Sequence, residues 1–330
     1  MAHLLISLGS NLGDRAATLD GALAAVARTA GFQVLRRSSW YATTPVGGPL
    51  EQEEFLNGAA LIETALAPEA CLAAILGIEQ EFGRRRDMPW GPRTLDLDLL
   101  LYDAAVVRTA DLILPHPRLG FRKFVLRGAC EIAAEMRHPV LGRSLGELLR
   151  HLQSTPKYVA LVGHAPGFRT QLAGECAEAG RARLVEPTGD DVAANAAALA
   201  AAPLTVASAV QFLDARRAAV ASSIAAAPDE WIVDDAWCAD EVCELANAFD
   251  ADARREFAAA LESRRSDRSA PIEPRLLAVL RSGDEPAAGA ALAVRERCPL
   301  DVALPPVVEL DIRGREAALL EFAAALEAAG

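Results

Sequence analysis

The chain has 330 residues, with 33 basic and 45 acidic side chains, so its formal net charge is −12. This length predicts two domains, and 52% hydrophobic against 24% charged residues indicates a globular rather than a disordered protein. The acidic balance argues against nucleic-acid binding, and without an unbroken apolar stretch of about 18 residues no membrane-spanning helix is expected.

The N-terminal apolar run and the cysteines both favour a cytoplasmic protein. Residues 1–15 lack a basic segment before the apolar run, so we interpret that run as a core strand rather than a signal peptide. The six cysteines include no Cys-x-x-Cys pair, which argues against a zinc ribbon or a disulfide framework and predicts free thiols.

A polar, proline-containing segment at residues 153–157 separates two parts of different charge. Residues 1–153 have a net charge of −1 and residues 154–330 a net charge of −11. Because the charge shift and the polar segment coincide, we predict one domain over 1–153 and a second over 154–330.

Hydrophobic periodicity in the first part predicts strands and helices that alternate along the chain. The predicted strands are Leu4–Leu8, Phe32–Tyr41, Phe55–Glu63 and Leu95–Tyr102, and the predicted helices are a helix capped by Asp14 that ends near Ala30, Pro68–Phe82 and Leu145–Leu152, with a further element at Lys123–Cys130. This order predicts an α+β ferredoxin-like sandwich with one open, loop-rich face.

Two carboxylates stand two residues apart in the strand Leu95–Tyr102. Asp96 and Asp98 should project from the same face of this strand, while the leucines between them face the other way. Adjacent carboxylates repel each other unless a cation lies between them, and Mg²⁺ binds one or two carboxylates together with phosphate oxygens. The alternative is a solvated edge strand with its charges outward.

A basic loop leads into this strand. Arg84, Arg85, Arg86 and Arg93 lie within ten residues of one another, around Trp90. Arginine guanidinium groups suit polyphosphate oxygens, although a run of charges by itself often forms only a solvated surface. Next to the paired carboxylates, and with His116 and Arg122 on the following loop, the arginines indicate a nucleotide–magnesium site.

Five short segments carry a family resemblance. They are Gly9–Gly13, Phe55–Asn57, Trp90–Asp98, Pro115–Arg118 and Arg122–Leu126. In this order and spacing, residues 1–152 resemble the 6-hydroxymethyl-7,8-dihydropterin pyrophosphokinase family of folate biosynthesis. The segment that ends in Asp98 is the most specific of the five.

The resemblance implies that ATP donates its β,γ-pyrophosphate to the hydroxymethyl oxygen of the pterin and that AMP is released. Asp96 and Asp98 would hold two Mg²⁺ ions, and Arg84 and Arg93 would share the catalytic role with them. Trp90 would belong to a loop that closes the site and excludes water. The family's ATP contacts match Arg84, Arg86, Trp90, Arg93, His116, Arg122 and, unless it is a surface charge, Glu79.

The same resemblance places the pterin between two aromatic rings. Phe55 and Phe124 match the stacking positions, and Asn57 would hydrogen-bond the edge of the pterin. The backbone around Thr44 and Val46 would complete its recognition. The alternative is that the two phenylalanines are ordinary core residues.

The second part opens with a strand at Tyr158–Val162, a glycine turn and a helix from about Arg169. This is the context of a P-loop, whose pattern is GxxxxGK[ST]. Gly163 fits the first glycine and Thr170 the final hydroxyl, but Phe168 replaces the second glycine and Arg169 the lysine. The P-loop pattern is therefore only partly met.

Further residues of this part resemble the deoxynucleoside kinase family. Glu186 matches its general base, Gln211 its base-reading glutamine, and Arg216 lies on the same predicted helix. The resemblance implies an α/β P-loop kinase-like domain with a parallel sheet, whose late strands we place at Leu276–Leu280 and Pro306–Asp311 before a C-terminal helix. Three interpretations stay open: a degenerate, non-catalytic kinase module, a working nucleoside kinase, and a module that binds a nucleoside or nucleotide or forms a homodimer.

Overall fold

The structure is a computed structural model. It describes residues 1–47, 52–83, 91–163, 166–185, 204–234, 242, 245, 248–265, 273–281, 305–311 and 315–330. The predictions for Arg84, Arg86, Trp90 and Glu186 lie outside these ranges. Within these ranges, no helix is both long enough and apolar enough to cross a membrane. The same ranges contain three cysteines, Cys71, Cys130 and Cys176, and all three are free thiols.

The first part is an antiparallel sheet covered by helices on both faces. Its strands are β1 (Ala2–Ser10), β2 (Phe32–Arg37), β3 (Tyr41–Thr43), β4 (Phe55–Thr64) and β5 (Asp96–Tyr102), and its helices are α1 (Arg15–Arg28), α2 (Pro68–Glu81), α3 (Lys123–Ala133) and α4 (Leu145–Ser154). The strand order is β2-β4-β1-β5, with β3 paired to β4, and a small hairpin of β6 (Val107–Arg108) and β7 (Ile113–Leu114) follows β5. The predicted ferredoxin-like α+β fold is confirmed for this part.

Helix α1 begins where the sequence predicts it. The Oδ1 atom of Asp14 accepts a hydrogen bond from the backbone N–H of Ala17 at 3.0 Å, which satisfies one of the unpaired amides of the first turn. The helix ends at Arg28, and Gly31 then turns the chain toward β2 with a φ of 87°.

The predicted strand 32–41 is divided into two strands. At Ser38 a side chain takes part in the hydrogen bonding between the strands: its buried Oγ accepts the backbone N–H of Ala59, on β4, at 2.8 Å. Trp40 then packs so closely over Gly58 that a Cβ there would lie 2.4 Å from the ring. The backbone N–H of Ser38 still donates to the carbonyl of Ala59 at 2.9 Å, and regular pairing with β4 then stops until Tyr41.

The two faces of β5 have opposite characters, as the alternation predicts. Leu95, Leu97 and Leu99 are buried in the core formed with α1 and α2. Asp96 and Asp98 therefore project from the other face of the sheet, on the side from which α3 starts. This face carries the candidate site.

The second part is built on a parallel sheet, as predicted. Its strands are β8 (Tyr158–Gly163), β9 (Arg183–Leu184), β10 (Ile232–Asp234), β11 (Leu276–Arg281) and β12 (Val307–Asp311), and the described helices are α5 (Pro166–Glu178), α6 (Val206–Ala226), α7 (Ala251–Arg265) and α8 (Arg315–Ala329). The strand order is β12-β11-β8-β10-β9. Residues 158–162 are at most 1% exposed, which is typical of a central parallel strand buried on both faces.

The two parts share one hydrophobic core. Leu148 and Leu152 of α4 belong to the same buried cluster as the strands β8 and β11. The predicted boundary at 153/154 falls in the last turn of α4. The segment that follows is bound to the second part, because the Nε atom of Arg275 donates to the carbonyl of Thr155 at 2.9 Å. The predicted linker is thus a short connection between two packed units.

His138 makes the stability of this packed structure dependent on pH. Its side chain is buried, its Nδ1 accepts the N–H of Leu141 at 3.2 Å, and burial lowers its pKa from 6.5 to about 4. Below pH 6.5 His138 binds a proton in the unfolded chain, whereas in the folded chain it stays neutral down to about pH 4. The free energy of unfolding should therefore fall by about 1.4 kcal/mol per pH unit from this group as the pH drops through that window.

Urea unfolding at pH 7.0, 6.0 and 5.0 measures this effect. We expect His138→Gln to reduce the loss of stability in acid, whereas the same change at the half-exposed His3 should leave the loss as in the wild type. Equal pH dependence in the wild type and His138→Gln would contradict the assignment.

Candidate active site

A concave pocket opens on the sheet face that carries the two aspartates. It brings together residues from separate segments of the first part that the sequence had already singled out. The described candidates that line it are Thr44, Val46, Phe55, Asn57, Arg93, Asp96, Asp98, His116, Arg122 and Phe124.

The two aspartates form the acidic floor of this pocket. The side chains of Asp96 and Asp98 are 19% and 31% exposed, Arg93 Nη1 lies 2.7 Å from Asp96 Oδ2, and His116 Nε2 lies 4.0 Å from Asp98 Oδ2. Carboxylate oxygens are hard ligands of the kind that Mg²⁺ prefers. Among the described residues no group of three or more His, Cys, Asp or Glu side chains could hold a metal. Two carboxylates on one face therefore fit an ion whose remaining ligands are phosphate oxygens and water.

A buried asparagine fixes Arg93 next to the aspartates. Asn11, in the loop after β1, accepts the N–H of Arg93 through its Oδ1 at 2.7 Å, and its own N–H donates to the carbonyl of Arg93 at 3.1 Å. Gly9 is needed two residues earlier, because a Cβ there would lie 2.7 Å from Asn57 Oδ1. The Gly9–Gly13 segment thus holds the pocket floor together, a role that sequence reasoning did not assign to Asn11.

His116 is held as a neutral hydrogen-bond donor. Its Nδ1 accepts the N–H of Arg118 at 3.1 Å, so the proton of the neutral ring is on Nε2, which faces Asp98. Burial, together with repulsion from Arg122 and Arg118, lowers the pKa of His116 to about 3. At neutral pH the imidazole can donate from Nε2 to a bound oxygen.

Arg122 and Phe124 stand at the start of α3. The guanidinium of Arg122 lies 5.5 Å from the centre of the Phe124 ring. Burial lowers the pKa of Arg122 to about 10, so this side chain stays charged at neutral pH. The hydroxyl of Tyr41 donates to the carbonyl of Phe124 at 2.5 Å and fixes the first turn of the helix.

The pocket lining also combines amide and aromatic groups. The Nδ2 atom of Asn57 donates to Thr43 Oγ1 at 2.6 Å, which orients the amide at the pocket wall. Phe55 lines the same wall. Phe124 also packs against the core cluster, so the core interpretation accounts for part of its contacts.

The structure places Glu79 outside this pocket. Glu79 is 2% exposed, and its Oε1 accepts the N–H of Leu97 at 2.7 Å. It projects from α2, which packs on the opposite face of the sheet from Asp96 and Asp98. Its carboxylate therefore supports the backbone between the two aspartates, and it is neither a surface charge nor a residue lining the pocket.

The candidates in the second part lie at the end of β8 and on the helices α5 and α6. Gly163 has a φ of 124°, and a Cβ there would lie 2.3 Å from the carbonyl oxygen of Leu280, so the backbone requires a glycine whatever binds nearby. Arg169 and Thr170 lie within α5, which starts at Pro166 rather than near Arg169. Gln211 is exposed on α6.

Arg216 lies on the same helix as Gln211, as predicted. Its Nη2 lies 2.7 Å from Oδ1 of Asp234, a residue that is 3% exposed. The other oxygen of Asp234, Oδ2, accepts a hydrogen bond from the hydroxyl of Tyr158 at 3.3 Å. Arg216 is thus engaged inside the fold with the end of β10.

A ferredoxin-like sheet that presents two carboxylates to a pocket containing arginines is the arrangement expected of an enzyme that transfers phosphoryl or pyrophosphoryl groups. The model of the 7,8-dihydro-6-hydroxymethylpterin-pyrophosphokinase family matches residues 5–134. The chain belongs to this family. The 2-amino-4-hydroxy-6-hydroxymethyldihydropteridine pyrophosphokinase of Synechocystis is 40% identical over 151 residues, which are 46% of this chain and 76% of the relative. The protein of that name from Pseudomonas aeruginosa is 41% identical over 147 residues, 44% of this chain and 90% of the relative.

The second part gains no such assignment. The family model ends at residue 134, and the comparisons give no support to the predicted deoxynucleoside kinase-like, P-loop identity of residues 154–330. The alignment with a solved structure of Plasmodium falciparum HPPK-DHPS covers 86% of this chain and 73% of that chain, with 10% identity and a TM-score of 0.37. For this part the structure establishes an α/β architecture with a parallel sheet.

Proposed function

We propose that the chain transfers the β,γ-pyrophosphoryl group of ATP to the hydroxymethyl oxygen of 6-hydroxymethyl-7,8-dihydropterin and releases AMP, in folate biosynthesis. One observation carries the proposal. A single pocket joins the candidate carboxylates Asp96 and Asp98 to candidate arginines, an amide and aromatic rings. Over 151 and 147 residues the chain is 40% and 41% identical to two named pyrophosphokinases. One end suits a metal–polyphosphate and the other a flat heterocycle.

The reaction forms one bond and breaks one. The pterin hydroxyl oxygen attacks the β-phosphorus of ATP, and the bond from this phosphorus to the α,β-bridging oxygen breaks. AMP leaves with the bridging oxygen, and the hydroxyl proton passes to solvent.

Asp96 and Asp98 are the residues we assign to the metal, and two Mg²⁺ ions are the number we propose. When bound, the ions neutralise phosphate charge and orient the triphosphate. Arg93 and Arg122 add fixed positive charge around the same phosphates, because both line the pocket. His116 donates from Nε2 without adding charge of its own.

At the other end of the pocket we assign pterin stacking to Phe55 and Phe124 and edge recognition to Asn57. The backbone at Thr44 and Val46 would complete the contacts, since both residues line the pocket. The contacts of Arg84, Arg86 and Trp90 with ATP remain predictions from the family resemblance.

Phosphorylation of a deoxynucleoside by the second part is not favoured. Arg216 is paired with Asp234, and the glycine at 163 is explained by the backbone alone. We therefore assign no catalytic step to residues 154–330.

The nucleotide product tests the proposal. The full chain is incubated with ATP and Mg²⁺, together with either hydroxymethyldihydropterin or each deoxynucleoside, and AMP is separated from ADP. We expect AMP that depends on the pterin and no ADP that depends on a nucleoside. No AMP with the pterin would overturn the assignment, and nucleoside-dependent ADP would restore a catalytic role for the second part.

A further inference from the structure

The last helix of the second part forms one wall of the pocket of the first part. Glu321, Ala324 and Ala325 of α8 line the same pocket as Asp96 and Phe124. Ala325 is 1% exposed and belongs to the core cluster against which Val46 and Phe124 pack. Helix α8 is therefore seated against the pocket.

An ion pair fastens α8 to the loop that carries His116. The Nε atom of Arg118 lies 2.8 Å from Oε1 of Glu321, and its Nη2 lies 2.6 Å from Oε2. Two parallel hydrogen bonds of this kind fix the orientation of both side chains. Since the N–H of Arg118 also binds His116 Nδ1, the helix is linked to a residue of the nucleotide end.

Two more contacts fasten the end of α8. Glu327 Oε2 accepts the N–H of Gly47 at 3.1 Å, and Gly47 follows Thr44 and Val46 in the segment after β3. The carbonyl of Gly330 accepts from Lys123 Nζ at 2.6 Å, next to Phe124. Along its length, α8 thus connects the two loops on either side of the pocket.

We propose that α8 is a positioning and specificity element of the pyrophosphokinase site. It holds the loop 44–47 against the pterin end, and the small side chain of Ala324 limits what fits there. This inference rests on the proposed function. Its physical basis is preorganisation: a loop that is already fixed loses less conformational entropy when the substrate binds.

A matched pair of substitutions on one helical turn tests the wall. Ala324 lines the pocket, whereas its neighbour Ala323 lines only the adjoining depression on α8, which shares Gly47, Arg118, Glu321 and Ala324 with the pocket. Leucine is nearly as good a helix former as alanine, so both variants should keep the helix. We expect Ala324→Leu to raise the KM for the pterin about tenfold, with kcat and the KM for ATP near the wild-type values, and Ala323→Leu to leave all three unchanged. Equal effects of the two variants, or no effect of Ala324→Leu, would overturn the proposal.

A second series tests the fastening and does not depend on added volume in the pocket. Glu327→Ala should raise the KM for the pterin about threefold, and Glu327→Gln should restore most of the affinity, because its amide oxygen still accepts from Gly47. Glu178→Ala, an exposed glutamate on α5, is the control for the lost charge. If Ala324→Leu fails to fold, this series decides alone. An unchanged KM in Glu327→Ala would then count against the proposal.

The two proposals fail in different ways. A wild-type chain that makes no pterin-dependent AMP contradicts the proposed function. A wild-type chain that is active, while Ala324→Leu and Glu327→Ala match their controls, contradicts only the role of α8. Binding of the pterin to the protein without nucleotide, followed by its fluorescence, gives a readout independent of turnover and should show the same ranking of variants.

Discussion

Asp96→Asn and Asp98→Asn should each lower the rate of pterin-dependent AMP formation on the order of 10³-fold. Each change removes a carboxylate that lines the pocket, and with it one of the charged oxygens that we propose as ligands for Mg²⁺. The fold should persist, because the leucines on the other face of β5 keep the core intact. The melting temperature should stay within about 4 °C of the wild-type value.

Initial rates over a Mg²⁺ series and a thermal melt measure these two effects. Asp229→Asn is a suitable control, because Asp229 is exposed and its side chain has no hydrogen bond or ion pair among the residues that the structure describes. A variant that loses activity only because it no longer folds would show a collapse of the melting temperature together with the rate. That outcome would argue for a structural role of the aspartates.

Phe124→Ala should weaken binding of the pterin about tenfold to a hundredfold while binding of nucleotide changes little. Stacking of a heteroaromatic ring on an aromatic side chain contributes about 1–3 kcal/mol, and the Phe124 ring lines the pocket beside Arg122. Binding is measured separately for the pterin and for an ATP analogue that carries a methylene group in place of the α,β-bridging oxygen.

Two further variants separate stacking from packing at this position. Phe124→Leu keeps apolar volume against the core cluster but has no aromatic face, so it should also lose affinity for the pterin. Phe124→Tyr keeps the face and should stay close to the wild type. If Leu binds the pterin as well as Phe does, or if nucleotide affinity falls equally, Phe124 is a core residue and the stacking role fails.

Local patterns in the sequence were sufficient for much of the first part. The cap at Asp14 and the alternation around Asp96 and Asp98 depend on neighbours a few residues away, and both are present in the structure. The break after Arg37 could not be foreseen, because it depends on Ser38 and on Trp40 packing against the distant β4.

In the site, too, features that depend on nearby residues could be predicted from the sequence, whereas contacts between distant residues could not. The resemblance named residues of the pocket, but it could not show which face of α2 is buried, so the position of Glu79 behind the strand was missed. The pair between Arg118 and Glu321 joins residues 203 positions apart, and no local signal announces such a contact. In the second part, Gly163 suggested a phosphate loop, yet the approach of Leu280 already demands a glycine there.

The core that spans both parts couples the evolution of their sequences. A buried residue of β8 or β11 supports the same interior as α3 and α4, so a cavity opened in the parallel sheet destabilises the unit that carries the pocket. Selection on pyrophosphoryl transfer would therefore act on interior positions of residues 154–330, even with no chemistry of their own. Sequence drift in that part should be tolerated mainly on its solvent-facing surface.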